Sequence, residues 1–109
     1  MTNLLDEERK LGRSPGVVYR DGPAGRRAAL ADGPDVWEII RELRTLPFER
    51  MAGAQFLADE VALPLASIAL AADFYEAHPG EIDHLIEANE RAAEDIRAQL
   101  DRPERQPSR

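Results

Sequence analysis

The chain has 109 residues, which is enough for one domain of ordinary size. It contains no cysteine, and this excludes disulfides, thiol catalysis and thiolate zinc sites. The sequence has no apolar run long enough to span a bilayer and no apolar segment after a basic start, so we expect a cytoplasmic protein without a transmembrane helix or a secretory signal.

The net charge of −7 is unevenly distributed along the chain. Residues 51–90 contain eight acidic residues and no Lys or Arg, whereas residues 1–50 contain nine residues of each sign. Because so acidic a segment repels phosphate groups, any contact with nucleic acid is expected at the two ends of the chain.

The N-terminal region is predicted to form a mobile arm and a β-hairpin. Residues 1–13 are polar apart from three leucines and are typical of a flexible arm, in which residues 4–10 could form a transient helical turn. The VVY run from Val17 and the RRAALA run from Arg26 flank a Gly/Pro turn, a pattern that predicts a hairpin. An isolated hairpin is marginally stable, so we expect it to pack on helices or to pair with a second copy of itself.

Two helices are predicted between the hairpin and the centre of the chain. The segment DGPD, ending at Asp35, offers a capping residue and a first-turn proline, and Pro47 should end this helix near Arg44 or Thr45. A shorter helix is predicted over residues 48–58. Gly53 inside it costs roughly 1 kcal/mol relative to Ala, which suggests that another element approaches closely there.

A third helix, predicted over residues 63–77, is apolar on most of its circumference. Such a helix is normally buried by its neighbours, so we interpret it as the central helix of the domain. Residues 59–62 are expected to link it to the preceding helix. Two short helices joined in this way indicate a helix-turn-helix.

A long fourth helix should begin at Glu81 and end before Pro103. Its apolar stripe is narrow, with steps of three and four residues, as in a coiled-coil seam. The stripe either packs on its own chain or pairs with another helix, and its first half can be core while its second half projects. The stripe on this helix consists of Ile82, Leu85, Ile86, Asn89, Ala93, Ile96 and Leu100.

Residues 102–109 have no apolar side chain other than two prolines and are expected to be a disordered tail, so the domain should span residues 14–101.

Two segments carry a family resemblance: the RRAALA-to-DVWE join (Arg26 to Glu38), and the FYEAHPGEID run over residues 74–83. In them, and over about residues 14–95, the chain resembles a bacterial family of small antitoxin-like proteins with a homeodomain-like helix-turn-helix, encoded beside PIN-like toxins. The resemblance implies a mainly α fold with an N-terminal β-hairpin and four helices. It also implies a homodimer, binding to operator DNA and neutralisation of a partner ribonuclease.

The chain departs from this family at the helix-turn-helix. The tight turn with a glycine that the family has before its recognition helix is replaced by residues 58–63, which are more numerous and acidic. The recognition helix carries no Lys or Arg, and Ser67 is its only exposed hydrogen-bonding candidate near the N-terminus. Direct base readout usually needs Arg, Lys, Asn or Gln at that end, so autonomous DNA recognition is in doubt.

Two sets of candidate site residues follow. Six arginines could contact phosphates if they shared one face of a dimer; the simpler interpretation pairs them with Asp21, Glu38 and Glu49. Partner contacts are predicted on the last helix and in the tail, where an Arg could enter the carboxylate cluster that the resemblance implies for the toxin. The DNA candidates are Arg20, Arg26, Arg27, Arg50 and Ser67, with Arg41 and Arg44 nearby, and the partner candidates are Asn89, Ile96, Arg97, Leu100, Arg102 and Arg105.

Enzyme chemistry has little support in the sequence. Glu81 and His84 have the Glu-x-x-His spacing of carboxylate-bridged metal sites, but the second copy that such a site needs is missing. The serines lie in no nucleophile motif. We therefore expect no enzyme and no cofactor, and two hypotheses remain: an antitoxin-like protein that binds a PIN-like toxin, or a protein-interaction module of helix-turn-helix shape that does not bind DNA.

Overall fold

The computed structural model describes residues 4–22, 25–31 and 33–101. Within these ranges the chain forms a two-stranded antiparallel hairpin and five helices, which makes the fold mostly helical, as the sequence predicts, but with one helix more than expected. The order is α1 (Leu4–Gly12), β1 (Val17–Gly22), β2 (Gly25–Leu30), α2 (Val36–Thr45), α3 (Arg50–Val61), α4 (Leu65–Ala77) and α5 (Pro79–Leu100).

The additional helix, α1, corrects the prediction of a flexible arm over residues 1–13. Glu7 on α1 bonds to Arg26 on β2, Lys10 bonds to Glu81 on α5, and Leu11 packs against the core. These partners lie 19 and 71 residues away in sequence, so local patterning did not reveal them. Residues 1–3 and 102–109, including the predicted tail, lie outside the described residues.

The hairpin has the predicted location and packs on the helices. Val17 is paired with Leu30 and Tyr19 with Ala28. Val17, Ala28 and Leu30 belong to the hydrophobic core, so the hairpin is stabilised by helix contacts, one of the two alternatives that the sequence left open.

Helix α2 ends where the sequence predicts, but it begins after Asp35, so Pro34 precedes the helix and does not lie in its first turn. Asp35 precedes it, and the backbone N–H of Asp35 donates to Glu38 Oε1 at 3.0 Å, which is half of a capping box. The helix ends at Thr45, two residues before Pro47. It buries Val36, Trp37, Ile39 and Ile40 against the hairpin and the other helices.

The connection between α3 and α4 is shorter than predicted. Asp59 and Glu60 belong to α3, which continues to Val61, so the linking residues are only 62–64. Ala62 adopts a left-handed conformation (φ 57°, ψ 44°), and the N–H of Leu63 donates to the carbonyl of Ala58 at 3.0 Å. This closure resembles a Schellman motif, in which glycine is the usual left-handed residue.

Helix α4 contacts α2, α3, α5 and β2, and so it occupies the predicted central position. Its burial is nevertheless one-sided. Ile68, Ala71 and Phe74 are fully buried, whereas Ala66 and Ala69 are exposed. The expectation that neighbours bury this helix all round is therefore wrong.

Helix α5 divides into a packed half and a projecting half. Ile82 and Ile86 are buried in the core, but between Glu87 and Leu100 every residue is exposed except Ala93, which is half-buried. Fourteen residues of α-helix extend about 20 Å. In the part of the chain that the structure describes, no helix combines the length and the apolarity that crossing a bilayer requires.

Candidate functional site

The arginines on the hairpin are engaged in contacts within the chain. Arg20 donates to three carbonyl oxygens at and just beyond the end of β2: Leu30 at 3.1 Å, Ala31 at 2.8 Å and Gly33 at 3.2 Å. These bonds close the loop that leads into α2.

The two neighbouring arginines on β2 are paired with acids. Arg26 bonds to Glu7 and Asp21, and Arg27 bonds to the carboxylate of Asp35 and, at 2.9 Å, to the carbonyl of Asp21. The hydrogen bonds that Arg26 donates to the carboxylates of Glu7 and Asp21 raise the pKa of Arg26. Of the three acids that the sequence suggested as partners for the arginines, Asp21 contacts both Arg26 and Arg27, whereas Glu7 and Asp35 were not among those suggested.

The remaining candidate arginines are also paired. Arg44 bonds to Asp83 and, at 2.8 Å, to the hydroxyl of Tyr75, and Arg50 bonds to Glu76 at 2.5 Å. The guanidinium of Arg41 lies 4.9 Å from the ring centre of Trp37.

The arginines predicted to contact DNA therefore do not form one surface of unpaired positive charges. The arginines are distributed over the hairpin, α2 and the start of α3, and each has partners within the chain. Ser67 is half-buried in the first turn of α4, where its backbone N–H donates to the carbonyl of Pro64 at 2.9 Å.

The partner candidates on α5 share the projecting half of that helix. Ile96 and Leu100 are 57% and 71% exposed, and Arg97 is exposed beside them. Asn89 is exposed, and its side-chain amide donates to the carbonyl of Leu85 at 2.8 Å. Arg102 and Arg105 lie outside the described residues. Because Ala93, Ile96 and Leu100 are three and four residues apart, they present one apolar stripe to solvent.

A second apolar surface was not predicted. It is a groove of about 760 Å³ between α3 and α4, to whose lining the second half of α2 also contributes, and we name it the α3–α4 groove. Met51 and Phe48 at its edge are 70% and 47% exposed. Its lining comprises Ile40, Leu43, Arg44, Phe48, Glu49, Arg50, Met51, Gly53, Ala54, Leu65, Ala66, Ile68, Ala69, Ala72, Asp73, Tyr75 and Glu76.

The sequence contained a signal for this groove. Ala66, Ala69 and Ala72 recur at helical spacing along α4, on a different side from Ile68 and Phe74. Sequence reasoning assigned that apolar side to the core, because a helix that is apolar all round is usually buried. The structure leaves it open to solvent.

The start of α5 is joined to the N-terminal elements by Glu81. Its carboxylate accepts hydrogen bonds from Lys10 Nζ and from the Tyr19 hydroxyl, each at 2.8 Å. Burial and the bond to Glu81 raise the pKa of Tyr19, and burial together with the nearby Lys10 lowers the pKa of His78. These contacts hold α1 and the hairpin against α5.

The described residues form no metal-binding cluster around Glu81 or elsewhere. Among the described residues no group of three or more His, Cys, Asp or Glu side chains is placed to hold a metal ion. His84 is exposed, and Glu81 is committed to Lys10 and Tyr19.

No protein-family model matches the chain, and no curated protein or solved structure is significantly similar to it. Its function has to be inferred from the residues and their geometry.

Proposed function

We propose that this chain is a non-enzymatic binding protein that holds a partner protein on the projecting half of α5. An antitoxin-like protein would hold a PIN-like ribonuclease toxin in this way, as the sequence resemblance implies. The observation that carries the proposal is the exposure of Ile96 and Leu100 on a helix that continues well beyond the core.

The energetics favour a composite contact on this helix. Burying Ile96 and Leu100 in a partner contributes about 1.5–3 kcal/mol each. Association costs at least about 4 kcal/mol in lost freedom of motion, so the stripe needs support from polar neighbours. Arg97, and Arg102 and Arg105 beyond it, are the candidates for charge-assisted bonds to a carboxylate-rich partner.

Operator binding is the weaker part of the proposal. The three-residue turn between α3 and α4 supports a helix-turn-helix of the homeodomain type. However, α4 carries no Lys or Arg, and the arginines around it already have acidic partners. We therefore expect DNA binding by the free protein to be weak, and to be stronger in a homodimer or in the complex with the toxin.

The experiment is co-expression with the product of the adjacent gene, followed by size-exclusion chromatography with light scattering. A stable complex is expected with the full chain, and it should be lost when the chain is cut at Arg91, which leaves Ile82 and Ile86 in place. The double variant Ile96→Ser/Leu100→Ser should also lose the complex. The control Glu94→Ser/Ala98→Ser changes the opposite side of the same helix and should keep it.

Two results would contradict the proposal. A complex that survives the cut at Arg91 would place the interface elsewhere on the chain. If the full chain forms no complex, the toxin partner is ruled out.

The second candidate is a protein-interaction module of helix-turn-helix shape without a role in DNA binding. It is favoured by the acidic residues 51–90 and by the engagement of the candidate arginines. A salt titration with DNA separates the two, because phosphate contacts make binding fall steeply as salt rises. If DNA does not bind even at low salt, the module is the better description.

A further inference from the structure

We propose that the α3–α4 groove is a second binding site, which holds an amphipathic helix of a partner protein with an apolar face and Lys or Arg on its flanks. The proposal uses no residue of the projecting half of α5. It therefore stands or fails independently of the function proposed above.

The groove has dimensions that suit a short helix. Its lining on α4 runs from Leu65 to Glu76, a length of about 17 Å or three helical turns. Ala66, Ala69 and Ala72 provide a floor of small side chains at helical spacing, so another helix can approach closely. Helix-in-groove recognition places apolar anchors at positions i, i+3, i+4 and i+7 along such a length.

The edge of the groove is apolar and adaptable. Met51 has a flexible thioether side chain that is 70% exposed, and it can follow anchors of irregular shape. The ring of Phe48 packs against Phe56, with a centre-to-centre distance of 5.2 Å, which supports the neighbouring part of the edge. Large exposed apolar side chains beside a concave apolar surface are typical of interaction sites.

The uncompensated charge around the groove is negative. Five charged residues line it, and two of them are arginines that already have acidic partners: Arg44 with Asp83, and Arg50 with Glu76. The side-chain carboxylates of Glu49 and Asp73 have no hydrogen-bond or ion-pair partner among the described residues. A helix with basic flanks would place its cations beside these two carboxylates.

The chain itself offers no matching occupant. Residues 102–109 contain no apolar side chain other than two prolines, and so they cannot present an apolar helix face to the groove. The projecting half of α5 from a second copy has an apolar stripe, but residues 87–100 contain four acids and two arginines. Their net charge has the same sign as the groove, which disfavours a reciprocal dimer through this site.

The test uses two fluorescent, amidated helical peptides of about 15 residues, long enough to span the groove. Both have Leu at the same i, i+3, i+4 and i+7 positions; the other positions are Lys in one peptide and Glu in the other. By fluorescence anisotropy at physiological salt, the Lys peptide should bind about tenfold or more tightly than the Glu peptide. Asp73→Asn should lower the affinity for the Lys peptide by a factor of about two to five.

A pair of matched variants locates the binding. Ala69 is exposed on the groove floor, so Ala69→Phe should block the site and lower the affinity for the Lys peptide about tenfold or more. Ala77 is exposed on the same helix outside the groove lining, and Ala77→Phe should leave the affinity unchanged. Thermal unfolding of both variants checks that the fold is intact.

A measurement on the unaltered protein makes the test independent of those variants. Amide shifts in NMR spectra with the Lys peptide should change at Met51, Ala69 and Ala72, and not at Ile96. The proposal is overturned by equal affinity for the two peptides, or by shifts confined to α5. It is also overturned if light scattering shows a homodimer that Ala69→Phe dissociates, since a second copy would then occupy the groove.

Discussion

The carboxylate of Glu7 on α1 receives two hydrogen bonds from the guanidinium of Arg26 on β2, from Nε at 2.9 Å and from Nη2 at 2.7 Å. Glu7 is 4% exposed, although it lies on a helix in a strongly polar segment. Together with the Lys10–Glu81 bond, this pair attaches the N-terminal helix to the rest of the domain.

The Glu7–Arg26 pair predicts a loss of stability in acid. The hydrogen bonds from Arg26 lower the pKa of Glu7 below its ordinary value of 4.5. The pair therefore stabilises the folded state above about pH 4.5, and this contribution is lost as the pH falls through the lower pKa of the folded state. Glu7→Gln should flatten the acid side of a plot of the free energy of unfolding against pH, measured with urea.

The neighbouring residue provides the control for that experiment. Glu8 is exposed, and Glu8→Gln should leave the acid side unchanged. If the free energy of unfolding of Glu7→Gln falls with decreasing pH as steeply as that of the original protein, the pair contributes nothing to the pH dependence.

The left-handed residue between α3 and α4 predicts a stabilising substitution. Ala62 has φ 57°, a conformation that costs a residue with a Cβ atom about 1 kcal/mol and that glycine adopts freely. Ala62→Gly should therefore raise the free energy of unfolding by up to about 1 kcal/mol. Ala52→Gly, at an exposed position inside α3, should lower it by a similar amount. If both variants lose stability in urea unfolding, the left-handed assignment is wrong.

Gly53 predicts a second stabilising substitution, contrary to the sequence-based expectation of a close approach. A Cβ atom at Gly53 would lie 3.8 Å from Phe48 Cβ and 4.0 Å from Leu43 Cδ2, which is ordinary contact. Gly53→Ala should therefore stabilise α3 by about 0.5–1 kcal/mol in thermal or urea unfolding.

The same substitution at Gly16 should have the opposite effect. Gly16 has φ 97°, and an added Cβ would lie 2.8 Å from Leu70 Cδ1, so Gly16→Ala should be destabilising. A loss of stability in Gly53→Ala would mean that the backbone there is more crowded than the geometry indicates.

Two isoleucines on α5 distinguish the packed half of the helix from the projecting half. Ile86 is 2% exposed and Ile96 is 57% exposed. Ile86→Ala should cost about 2–5 kcal/mol of unfolding free energy, because it leaves a cavity in the core. Ile96→Ala should change it by no more than about 0.5 kcal/mol. Equal losses in urea unfolding would show that the second half of α5 packs on its own chain.

Patterns within a short stretch of sequence were sufficient for several elements. The capping segment before Val36 and the proline at position 47 predicted α2 to within one or two residues. The spacing of Ile82 and Ile86 indicated a stripe on α5, and the structure packs its first half into the core. Prediction was wrong where the stabilising partner is distant. Residues 4–12 form a helix whose bonds reach Arg26 and Glu81, and a stretch that is polar by itself does not reveal such partners.

Among the candidate sites, residue spacing indicated the apolar stripe that includes Ile96 and Leu100, but it left open whether that stripe is packed or projects. It gave no indication of which arginines are paired with acids. Whether an arginine is free for a ligand depends on which carboxylate the fold brings beside it. Arg50 meets Glu76, which is 26 residues away, and Arg44 meets Asp83, which is 39 residues away.

The sequence alone therefore determined the helical class, the hairpin and the helix ends set by Pro47 and His78, because prolines, caps and apolar periodicity act within a few residues. Only the tertiary structure decided which side of α4 is covered and which faces solvent as the α3–α4 groove. Because α4 carries apolar side chains on most of its circumference, its sequence does not mark one side as the core side. The side that is covered depends on where the neighbouring helices pack, which is set by contacts among residues far apart in the chain.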